Sequence, residues 1–96
     1  MTNESILQVI GRNIREARLR AGMTQECLAE LANLHWKTLS YIERGKHPFS
    51  IVTFVRLVQY LKTSPSRLLE GSDQLDEKRL KRVTKALARK RQPKRS

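Results

Sequence analysis

Residues 24–45, TQECLAELANLHWKTLSYIERG, limit what this chain can fold into more than any other stretch: two short amphipathic helical patterns stand there, joined by a turn of three residues. In the first pattern Leu28, Leu31 and Ala32 recur on one face, and the small Ala29 lets a neighbour come close. In the second, Leu39 and Ile42 point the same way. Helices this short are marginal alone in water, so both must pack on what flanks them, and the turn fixes the angle between them.

The flanks supply that support. Ile6, Leu7, Ile10, Ile14, Ala17 and Ala21 follow a helical period over 4–21, with Arg12, Arg15 and Glu16 opposite and Gly22 as a left-handed stop. Thr24 caps a helix over 24–32 that Asn33 ends, and a third runs over 35–44 to Gly45. Ser50 caps a fourth over 51–61, whose stripe is Ile51, Phe54, Val55, Val58 and Leu61. Ser64 and Pro65 open a short fifth over 64–71, buried through Leu68 and Leu69. No period-two run is long enough for a strand. The expectation is an all-α body of five helices over 1–71.

A chain of 96 residues, 39% hydrophobic, closes one small helical core and leaves no room for a substrate cavity. Its 20 Lys and Arg against 9 Asp and Glu give a net charge of +11, which calls for a polyanionic partner. The charge is uneven: 1–71 carry 10 basic and 6 acidic residues, 72–96 carry 10 and 3. Cys27 is the single cysteine, expected to be a small packing filler, and His35 and His47 have no ligand cluster beside them, so neither disulfide nor metal site is expected. The opening residues lack a basic n-region with a long apolar run, which points to a cytoplasmic protein.

Residues 72–96 form a basic extension. A helix from about Asp73 to Lys90 would place Leu80, Val83 and Leu87 on one face and Lys78, Arg82, Lys85 and Arg89 on the other, followed by RKRQPKRS without periodicity, a segment expected to be disordered unless it meets an anion. Three roles fit: an arm on DNA phosphates, which is preferred; a dimerisation helix; or a solubilising segment. Three aliphatic residues without an aromatic anchor argue against membrane binding.

Gly11, Ile14 and Arg18, then Met23-Thr24-Gln25, Leu28-Ala29, Leu34, Leu39-Ser40, Ile42-Glu43-Arg44-Gly45-Lys46, Pro48 and the closing Ser66-Arg67-Leu68-Leu69 stand in a register that resembles the phage-repressor and Cro type of helix-turn-helix, the XRE family, over about residues 10–70. Asn33 stands where that family usually has Gly, Trp36 is unusual on its recognition helix, and the extension after Gly71 lies outside the shared domain. The resemblance implies sequence-specific binding to double-stranded DNA and gene regulation. It also implies that Arg18 pairs with Glu43 across the first and third helices, and that Gln25, beside Thr24 and the exposed amides of the second helix, meets a phosphate.

Geometry assigns the remaining roles. With Leu39 and Ile42 inward, the outward side of 35–44 centres on Lys37 and Arg44, flanked by Ser40 and Tyr41, with Trp36 leading. The N-terminal half of such a helix reaches base edges, so Trp36, Lys37, Ser40 and Tyr41 are the base-reading candidates. Arg44, Lys46 and His47, with His35 and Thr38 as lesser contributors, are the phosphate candidates. Trp36 has a second reading, as surface cover packed on Phe49 or another side chain, and Tyr41 has one as a phosphate contact. One helix spans too few base pairs to be selective, so a homodimer joined at Leu68 and Leu69 is expected, acting as a repressor. The alternative is a protein-binding role, as an antitoxin or a bridging coactivator. No cofactor and no small-molecule ligand is expected. An enzyme is excluded by the lack of a nucleophile–base pair: His35 and Ser40 lie on different faces of one helix.

Overall fold

Four left-handed residues end four of the helices. Gly22 (φ 73°), Asn33 (φ 61°), Gly45 (φ 72°) and Lys62 (φ 54°) each follow a last helical turn. Each is closed by paired backbone bonds: Met23 N–H to Arg18 O with Gly22 N–H to Leu19 O, and likewise Leu34 to Ala29 with Asn33 to Glu30, Lys46 to Tyr41 with Gly45 to Ile42, and Thr63 to Val58 with Lys62 to Gln59. Side-chain caps open the next elements. Thr24, Ser50 and Ser64 oxygens accept from Cys27, Thr53 and Arg67 amides.

A computed structural model describes residues 6–73 and 77–90, and all regular structure among them is helical: α1 (Ile6–Arg20), α2 (Gln25–Leu31), α3 (Trp36–Glu43), α4 (Ile51–Leu61), α5 (Pro65–Leu69) and α6 (Glu77–Lys90). α1 is the spine, packing on α3, α4 and α5, while α2 packs on α3 and α4. Ile14, Leu28, Leu39, Ile42, Leu57 and Leu68 are the fully buried large side chains of the core. The Asn13 side-chain amide donates to Leu68 O and Glu70 O, both at 2.9 Å, and so latches the end of α5 to α1.

The core departs from the sequence expectation at several positions. The apolar arc of α4 is broad and interrupted by Thr53, Arg56 and Gln59 on one side; the helix is turned so that it buries Phe54, Leu57 and Leu61, and of the expected stripe Ile51 and Val55 are exposed. On α1, Gly11 and Arg18 are buried while Ile6 is exposed, Ala21 just past its end is exposed too, and on α2 Leu31 is exposed. Cys27 is exposed and fills nothing. Leu68 is 1% exposed, held in the core between helices, so of the two leucines expected at a dimer contact only Leu69 is at the surface. In α6 residues 81–89 are all exposed, Val83 and Leu87 among them. The Leu80 and Lys78 side chains and the segment 91–96 lie outside the described residues.

Candidate nucleic-acid interface

α3 begins on an unusual cap. The Lys37 amide donates to His35 Nδ1 at 3.1 Å, so the imidazole takes the place of a cap oxygen. An accepting Nδ1 puts the ring proton on Nε2, which makes that nitrogen the donor. The ring stacks on Trp36 with centroids 6.1 Å apart, and Lys37 Nζ sits 5.9 Å from the Trp36 centroid, at the limit of a cation–π contact. Trp36 therefore rests on His35 and Lys37, whereas Phe49 stacks on Phe54 instead.

Two observations fix how α3 is held. A Cβ on Gly11 would clash with Ile42 O and come within 2.7 Å of Glu43 O, so the α1 and α3 backbones touch where only glycine fits. Beside this contact the Arg18 guanidinium grips the Glu43 carboxylate with two bonds, Nε to Oε2 at 2.7 Å and Nη2 to Oε1 at 3.0 Å, and its Nη1 donates to Met23 O at 2.9 Å. Gln25 Nε2 donates to the same Oε1 at 3.0 Å. The side chains of this pair are 9% and 1% exposed, so one buried network ties α1, the start of α2 and the end of α3 together.

With Glu43 paired inside, the charged groups left on the outer side of α3 and its cap are the cations Lys37 and Arg44. Trp36, Lys37, Tyr41 and Arg44 are exposed, and Ser40 and Thr38 are half-buried. The Arg44 guanidinium carbon lies 5.0 Å from the Tyr41 ring centroid and its Nε donates to Ser40 O at 3.4 Å, which lays the side chain along the helix surface. Lys46 and His47 continue the exposed line, His47 Nδ1 being 2.7 Å from Pro48 O. Thr24 is occupied as the α2 cap and Gln25 as a Glu43 partner. On the α2 side of Trp36 a groove lined by Glu26, Glu30, Asn33, Leu34 and His35 gives the cationic face an acidic border.

The sequence reading thus brought Trp36, Lys37, Tyr41 and Arg44 to one exposed face, with Ser40 at its edge. It did not give Gly11 or Asn13 a physical role. The signal for Gly11 was present: a glycine inside a helical pattern costs about 1 kcal/mol relative to alanine, which marks a close backbone approach.

A family model described as a helix-turn-helix domain matches residues 9–71. Control protein C.SmaI of Serratia marcescens is 31% identical over 64 residues, spanning 67% of this chain and 76% of that protein. The crystal structure of the restriction-modification controller protein C.AhdI from Aeromonas hydrophila matches with a TM-score of 0.62 and 34% identity, over 65% of this chain and 94% of that one. The solved SinR–SinI protein complex contains a match with a TM-score of 0.61 and 31% identity, over 81% of this chain and 78% of that one.

Proposed function

Because this chain belongs to the DNA-binding helix-turn-helix family of transcription regulators, we propose that it recognises a specific operator by inserting α3 into the major groove and represses transcription there as a homodimer. One observation carries the reading: Trp36, Lys37 and Tyr41 are exposed on a helix whose only carboxylate is buried and paired. Lys37 donates to guanine O6 and N7, and Tyr41 and Trp36 offer ring contact to a thymine methyl and one donor each. Arg44, Lys46, His47 and the His35 Nε2–H hold the sugar–phosphate backbone and set the register. The exposed amides at the start of α2, with Thr24 and Gln25 beside them, meet a phosphate at the other end.

A dimer suits this task, because two copies present two recognition helices about one duplex turn apart. The α4 side chains Ile51, Val52 and Val55, together with Leu69 of α5, supply the exposed apolar surface for that contact. The same surface supports a second reading, in which a different protein covers it. The SinR–SinI complex holds a similar chain in an assembly of two proteins. No described helix is long and apolar enough to cross a membrane.

Selection from a random duplex pool, followed by competition of the selected site against bulk DNA at moderate salt, tests the proposal. A preference of a thousandfold or more, on the order usual for specific binding, supports it. Equal affinity for both DNAs removes it.

A further inference from the structure

We propose that α6 is a second DNA-binding element, which lies on the sugar–phosphate backbone through the stripe Lys81, Arg82, Lys85 and Arg89; this deepens the operator-binding reading and rests on it. The helix lies wholly beyond the matched residues 9–71, so the shared domain does not account for it.

At about 100° per residue the four cations fall within a third of the helix circumference, and Val83 and Leu87 fall on the opposite side. The stripe is about 12 Å long, and a duplex carries one phosphate per ~1.7 Å of its axis, so several phosphates face it at once. Residues 81–89 are all exposed, so the body of the fold does not use these charges.

Charge selects among the possible occupants. A second α6 is disfavoured, since each copy brings seven basic residues against one acidic. The body is disfavoured too, because residues 1–71 are themselves net basic. An anionic bilayer would take the charges, but α6 has no aromatic anchor and its described apolar side is only Val83 and Leu87. A nucleic-acid backbone needs the cationic stripe and nothing from the other face. The stripe also opposes its own helix, because Lys81, Lys85 and Arg89 are like charges spaced four apart. A polyanion relieves that repulsion, so contact with DNA should raise helix content.

Only three residues separate Asp73 from Glu77, and the four steps between them reach about 14 Å at most. Once α3 is seated, the stripe is held at high effective concentration near the same duplex.

The test compares the full chain with a variant carrying Lys81→Gln, Arg82→Gln, Lys85→Gln and Arg89→Gln, by fluorescence anisotropy on a mixed-sequence duplex across a salt series. The slope of log affinity against log salt is expected to flatten by about three and a half units, at roughly 0.9 for each of the four phosphates that the variant leaves unneutralised. Circular dichroism of the full chain should gain helix signal with DNA, and the variant should not. The preference for the selected site over bulk DNA should survive, since the stripe reads no base. An unchanged salt slope in a variant that melts like the full chain overturns the proposal. So does binding of phosphatidylglycerol vesicles through the stripe without any change on DNA. If the unaltered chain shows no preference for any duplex, the operator-binding reading fails separately.

Discussion

Glu43 ends α3 as a nearly fully buried carboxylate, and its partners Arg18 and Gln25 come from elements on two sides. A buried ion pair is weak support for stability as such, but stripping one partner leaves an uncompensated charge in the interior. Glu43→Ala is therefore expected to lower unfolding free energy by about 3–5 kcal/mol in urea titration, whereas joint replacement of Arg18 and Glu43 by leucine should lose far less. Equal losses in both variants would show that the network's value is not electrostatic. At the surface the residues divide by what they touch. Lys46→Ala should weaken every duplex alike and flatten the salt slope by about one unit. The expectation fails if its loss depends on sequence. The Arg18–Glu43 pair was legible only through the family register, because spacing alone puts both residues at the edges of their stripes. Cys27 was misjudged because a position next to a cap does not settle which side of a short helix it occupies.

Among the elements, α1 and α3 are held at one backbone contact. Gly11→Ala forces a methyl against the Ile42 and Glu43 carbonyls, which are backbone and cannot rotate away. Overpacking of this kind costs about 1–3 kcal/mol. The thermal midpoint should fall, and selected-site affinity should fall more than bulk affinity because α3 is displaced. A variant with wild-type midpoint and selectivity would mean that α3 is not positioned there. Helix limits were legible from Thr24, Ser50, Ser64 and Pro65 at the starts and from Gly22, Asn33 and Gly45 at the ends, since each has a local physical reason to cap or stop a helix. The inward face of α4 was not. Its apolar residues cover more than half of the circumference, with Thr53, Arg56 and Gln59 on the rest, so the arc is wider than the face that can be buried, and the packing of α4 on α1, α2 and α5 selects Phe54, Leu57 and Leu61. Leu68 and Leu69 posed the same problem over a single step of a five-residue helix.

For the whole molecule, the exposed α4 face has a consequence for assembly. Val55→Glu places a charge in the surface proposed to join two copies and is expected to give monomers in light scattering, with selected-site affinity falling steeply while the fold is kept. A dimer that survives this change is joined elsewhere. Operator reading has a more direct test: base-preference profiles of the unaltered chain, Lys37→Ala and Tyr41→Ala, each obtained by selection from the same random duplex pool. The expected result is a two-fold symmetric site with half-sites about one turn apart, in which each substitution relaxes preference at particular positions by about 1–3 kcal/mol and leaves the others intact. Profiles that stay identical in all three proteins, or weaken evenly across every position, would contradict the placing of α3 in the groove.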